Sequence, residues 1–161
     1  MLLRRPWRPG APAGHATVIY YAKEGDAALA AALSQAFACM ALVVWNHDSD
    51  VLHYRLYEAG ALSDDYDSWP DYFDGVPSVP RGGNATRLCT AFGAAEAVNA
   101  VTTILRAASD DEGYVFADDR HRDLCQALGL PAVAVGFGYR YLERGEAPWG
   151  LVPSLLRKTG T

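Results

Sequence analysis

The sequence predicts an α+β fold: an antiparallel sheet of four to five strands around a central meander, with helices packed mainly on one side. Three observations carry that expectation. Residues 40–45, 51–57 and 61–66 form strand-like runs separated only by short polar turns, the signature of consecutive hairpins. Beyond residue 84 the apolar residues recur instead at three- and four-residue spacing, the period of a buried helix face. The length of 161 residues, half apolar and a fifth charged, suits one globular domain.

The elements follow in order. Residues 1–14 carry three arginines and no apolar stretch behind them, so they read as a flexible leader rather than a signal peptide. The β-branched and aromatic run 17–22 predicts a first strand, and Asp26 a helix cap accepting free N–H groups. Leu29, Leu33 and Phe37 recur every four residues and are expected to form that helix's buried stripe. The continuous apolar run 40–45 suits a strand covered on both faces. In the next strand Leu52, Tyr54 and Leu56 share one face, and Val51, His53, Arg55 and Tyr57 the other.

From residue 67 to 83 three prolines and three glycines exclude regular structure over most of a long loop. Asn84 then caps a short helix carrying Leu88, Cys89 and Phe92, which Gly93 ends. Two further helices are expected over about 94–108 and 117–128, the first with Val98, Val101, Ile104 and Leu105 at helical spacing. The run 132–136, continued through 139–142, reads as a last strand, and 151–161 as a C-terminal arm after a single domain over 15–150.

Charge is distributed unevenly along this frame. Between Asn46 and Asp74 lie eight carboxylates and one basic residue, a net charge of −7, while the rest of the chain has 13 basic and 11 acidic residues. Tyr66, Trp69, Tyr72 and Phe73 fall in the same stretch. Aromatic rings supply contact area and carboxylates select a positive partner. The expected binding surface therefore comprises Asp48, Asp50, Asp64, Asp65, Tyr66, Asp67, Trp69, Asp71 and Tyr72, facing a basic protein.

Other chemistries are weaker. An EF-hand loop counted from Asp48 needs Gly and Glu where His53 and Ala59 stand, so a calcium loop of that type is excluded. A non-EF divalent site would need Asp48, Asp50, Asp64 and Asp67 to converge. His121 and Cys125 share a helix face but lack a second ligand pair, so no zinc site is expected. Cys89, near a helix start, is better read as packing than as a nucleophile. The segment 81–87 has paired glycines that could cradle an anion, but not the P-loop spacing. No dinucleotide fingerprint is present, and no cofactor is expected.

The arginines are scattered rather than striped, and no apolar run approaches the roughly 20 residues of a membrane span, so neither nucleic acid nor membrane is an expected partner. Three cysteines without an export signal, and twelve arginines against two lysines, fit a cytoplasmic protein from a GC-rich bacterium. The order of meander then helices is similar to that of small bacterial α+β proteins that neutralise secreted toxins. That resemblance implies an inhibitor- or immunity-like binding module. The alternative is a small metal-assisted hydrolase using His47, Asp48, Asp50 or Asp67 between the first hairpin turn and the loop 67–83. A purely structural domain that dimerises through a sheet edge is a third.

Overall fold

The computed structural model describes residues 2–4, 15–19, 27–75 and 79–148. Its frame is the expected meander: β3 (Met40–His47), β4 (Val51–Glu58) and β5 (Ala61–Asp67), each antiparallel to the next. Short strands widen it. Leu2–Arg4 (β1) pairs with β3 and with His15–Thr17 (β2), and Arg81–Gly82 (β6) pairs with β5, giving the order β2-β1-β3-β4-β5-β6. Part of the expected leader is thus a strand, whereas residues 20–22 of the expected first strand lie outside the described residues.

Both tight turns of the meander run through the left-handed region. Asp48 and Ser49 have φ of 48° and 65°, and Ala59 and Gly60 have 49° and 84°, as type I′ turns demand. The turn chemistry fixes the register, and the register fixes which side chains face which way. Leu42, Leu52, Tyr54, Leu56 and Tyr66 form one core with the helices α2 (Ala85–Phe92), α3 (Val98–Arg106) and α4 (Ala117–Ala127). The opposite face is covered in part by α1 (Ala28–Phe37), where Ala27 and Ala30 meet Ala41 and Val43. The α+β class, the antiparallel sheet and the one-sided helical layer therefore stand as expected.

Two expectations fail. The large apolar stripe of α1 does not face the sheet: Leu29 is 38 % and Phe37 55 % exposed, while Ala27, Ala30 and Ser34 are buried. Close approach of helix to sheet selects the small residues, and Ser34 fixes that approach by donating to Cys39 O at 2.8 Å and accepting from Gly60 N at 3.3 Å. Asp26 lies outside the described residues, and the helix begins after Ala27. Second, residues 132–142 form no strand. Ala132–Ala134 is a 3-10 turn and Tyr139–Glu143 a short helix, α5. Gly136, at φ 68°, breaks the extended run, and successive turns (Val135 N to Ala132 O, Phe137 N to Ala134 O) satisfy its backbone locally.

Beneath the helical layer lies a buried charge. Arg120, 1 % exposed, sits on the core stripe of α4 with Ala117 and Leu124. Its guanidinium donates to Tyr66 Oη, Ile104 O, Ala107 O, Ala108 O and Ser109 Oγ at 2.8–3.2 Å, with its cation over the Tyr114 ring. Those carbonyls belong to the C-terminal end of α3, where the helix dipole is negative.

Replacing Arg120 by Met should lower the unfolding free energy by roughly 3 kcal/mol or more, because several buried acceptors lose their donor at once. Arg120→Lys should recover little of it, since an ammonium cannot span the same fork. Urea midpoints at unchanged m-value measure both. For α1, Ala30→Leu should cost about 1–3 kcal/mol by overpacking, whereas Leu29→Gln should stay within about 0.5 kcal/mol. The reverse ranking in thermal melts would mean that the stripe of leucines faces inward after all.

Candidate functional site

The acidic segment divides because successive residues of a strand point to opposite faces. On β5, Asp64 and Tyr66 face the helical layer and Asp65 and Asp67 face away. Tyr66 is buried, donates to Leu105 O at 3.0 Å and stacks on Tyr54 with ring centroids 5.3 Å apart. It is a core residue and not part of a surface, contrary to expectation. Asp64 is half-buried and accepts from Tyr54 Oη and from Asn84 N, each at 2.8 Å. Burial holds both tyrosines neutral: the Tyr66 hydroxyl is pushed up to about 12, and that of Tyr54 higher still with Asp64 adding to the effect.

The same contacts answer the anion-cradle reading of residues 81–87. Asn84 N is taken by Asp64, and Gly83 N donates to Asp65 O at 2.7 Å. A Cβ on Gly82 would stand 2.2 Å from Asp65 O, so that glycine serves the close approach of β6 to β5. Asn84 does cap α2, its side chain accepting from Arg87 N at 2.9 Å. The site at this helix start is filled by the protein's own carboxylate.

On the outer face Trp45 and His53 stack at 5.1 Å and 11°, with the Arg55 guanidinium 5.5 Å above the Trp45 ring. Asp67 lies beside His53, 3.7 Å between Oδ2 and Nδ1, and also accepts from Trp69 N at 2.9 Å. These residues, with Asp65, Phe73 and Arg81, line an open hollow of about 450 Å³. One end of it is the loop 69–75. There Tyr72 donates to Asp50 Oδ2 at 2.7 Å, and Trp69, Tyr72, His47 and Phe73 meet edge to face at 5.0–5.5 Å. The 3-10 turn Tyr72–Asp74 holds Phe73 outward, 80 % exposed, between the exposed Asp71 and Asp74. Asp48, with its side chain 80 % exposed, stands at the neighbouring hairpin turn. The sequence reading had Phe73 in the cluster but not at its tip.

Asp48, Asp50, Asp64 and Asp67 do not come together as a divalent site: among the described residues no three of His, Cys, Asp and Glu could hold a metal ion. Cys39, Cys89 and Cys125 are buried, and burial raises the Cys89 thiol and carries that of Cys125 up to about 11. Thiols held protonated are poor nucleophiles, so packing accounts for Cys89 and Cys125.

A second hollow lies on the helical side of the sheet, where the 47–50 turn meets α4 and the segment 131–139. It encloses about 410 Å³ and is lined by Asn46, Asp118, His121 and Cys125 among others. Asp118, in the first turn of α4, accepts from the Asn46 amide and from Ser49 Oγ. Burial pushes His121 down to about 4. From the sequence His121 and Cys125 are weighed only as zinc ligands and Asn46 and Asp118 not at all, although Asp118 and His121, three apart on a helix, share a face.

The depressed His121 sets a pH dependence. Below about 6.5 the unfolded chain takes up a proton that the native imidazole refuses until about pH 4, so native stability falls as pH drops through that window. His121→Gln should flatten the fall between pH 7 and pH 5. Urea unfolding of both proteins at the two pH values reads the difference, and parallel losses would place His121 in solvent.

No helix among the described residues is long and apolar enough to cross a membrane. No protein-family model matches this chain, and no curated protein or solved structure shows significant similarity to it.

Proposed function

We propose that the protein is a binding module that presents the outer face of its meander, with the Phe73 tip, to a basic protein surface, in the manner of an inhibitor or immunity protein. The observation that carries this reading is a large aromatic ring held in solvent by a rigid support. Phe73 is fixed by edge contacts to His47 and Tyr72, and Tyr72 by its bond to Asp50. Exposing a phenyl ring gains nothing for the fold, whereas a preorganised aromatic anchor loses little entropy on binding. Around it Asp48, Asp65, Asp71 and Asp74 supply negative charge, which steers a cationic partner and discriminates against acidic ones. Trp69 and Tyr72 act as the support, Asp50 and Asp67 hold that support, and Asp64 and Tyr66 sit behind it in the sheet.

The hydrolase alternative receives no comparable support. The residues nominated for it, His47, Asp48, Asp50 and Asp67, are engaged with neighbouring rings, turns and backbone rather than around one reacting point.

A triple reversal of Asp48, Asp65 and Asp71 to Lys should abolish binding of an arginine-rich probe peptide, and Phe73→Ser should weaken it by about tenfold or more. Thermal melts of both variants should stay close to that of the parent chain. Titration calorimetry at two salt concentrations measures this, and affinity for the parent should fall as salt rises. Equal affinity of parent and reversal variant for the peptide would sink the reading.

A further inference from the structure

The hollow on the helical side is separate from the Phe73 surface and has a chemistry of its own. Its walls mix apolar side chains, Val44, Val135 and Phe137 among them, with polar groups, and its volume of about 410 Å³ is that of a small-molecule site. Among its described lining residues there is no lysine or arginine, but there are two carboxylates, Asp48 and Asp118.

Asp118 is the one set for recognition. It is half-buried, and its hydrogen-bond donors are neutral: the Asn46 amide and the Ser49 hydroxyl, the latter at 3.3 Å. No basic side chain among the described residues forms an ion pair with it. A carboxylate offers about four lone-pair sites, so two remain for a ligand. The first turn of α4 steadies its negative charge through the helix dipole. Bare carboxylates in half-buried places are costly unless something positive completes them.

One further group of the lining is unsatisfied: Asn46 Oδ1 is buried with no donor. Native proteins leave few such groups, and each asks for an explanation. Acceptors dominate this set, so the missing complement is a donor with positive charge. A metal ion does not fit, because no three metal-ligating side chains meet among the described residues.

We propose that this cavity binds a small organic cation, an amidinium, guanidinium or ammonium group carried on an apolar body, with Asp118 as its counter-charge. The charged head lies at Asp118 beside the turn 47–50, and the apolar body packs on Val135 and Phe137. Gly136 borders the head's place: a Cβ there would lie 3.4 Å from Asp118 Oδ2, in ordinary contact.

Three near-isosteric probes test this on the full chain: benzamidine, neutral benzamide and anionic benzoate. Titration calorimetry reads the affinity, and a rise in melting temperature reports binding to the native state. Benzamidine should bind saturably at millimolar concentration or below, benzamide about tenfold more weakly or worse, and benzoate not at all. Asp118→Asn should weaken benzamidine by about tenfold with a native-like melt. Should that variant fail to fold, Val135→Trp, which fills the apolar end, must also abolish binding. Phe73→Ser, at the outer surface, should leave it intact. The proposal is overturned if benzamide binds as well as benzamidine, if folded Asp118→Asn or Val135→Trp keeps full affinity, if Phe73→Ser abolishes it, or if benzamidine shows no binding.

Discussion

The helical layer hangs on the buried guanidinium of Arg120. A charge removed from water is expensive, and it persists only where hydrogen bonds replace its hydration. Here the replacement is made almost wholly of backbone carbonyls from the end of α3 and the residues just after it, with Tyr66 Oη and Ser109 Oγ completing the fork. One side chain of α4 thereby ends α3, and it fixes both helices to β5 through Tyr66. Ser109 extends the tie by donating to Ser68 O, and Ser68 Oγ accepts from Leu52 N at the start of β4. No carboxylate among the described residues takes part. The negative end of the α3 dipole does that work, which leaves the acidic residues available elsewhere.

That division explains how so concentrated a negative charge is tolerated. Along β5 the two-residue alternation sends Asp64 inward, where two donors hold it, and Asp65 outward. Asp67 and Asp50 are held by Trp69 N and by Tyr72. Asp48, Asp65, Asp71 and Asp74 are exposed, where like charges are screened and repulsion is mild. The segment is thus partly scaffold and partly surface, and only the second part is open to a partner.

Much of the fold was legible because its signals are local. Polar turns between alternating runs imply hairpins, and Asn84 by its side-chain cap and Gly93 by its left-handed backbone bound a helix locally. Misreadings arose where tertiary packing overrules local pattern. On α1, Leu29, Leu33 and Phe37 have the right period, yet the sheet approaches too closely for them, and Ala27, Ala30 and Ser34 take the inner face. The run after Pro131 has strand-like residues but a glycine, Gly136, whose positive φ turns the chain. Arg120 sits three after Ala117 and four before Leu124, so its place on the stripe could be counted. What counting could not supply was a reason for an arginine to be there, since its partners are carbonyls that no sequence pattern marks. The cavity at Asp118 was invisible for a similar reason, its walls coming from residues more than seventy positions apart.

The hairpin turn 47–50 stands between the outer surface and the cavity, and its conformation is costly. Asp48 and Ser49 both adopt positive φ, which for residues with a Cβ costs of order 1 kcal/mol each, less for Asp than for Ser. Contacts on both sides offset that cost. Ser49 O accepts from Ala117 N at 2.7 Å, Ser49 Oγ reaches Asp118, and Asp50 binds Tyr72 on the other side. A glycine at 49 would relieve the backbone but lose the hydroxyl that orients Asp118. The turn's residues are therefore chosen for what they hold rather than for how easily they bend, and one strained loop sets both the aim of Phe73 and the position of the Asp118 carboxylate.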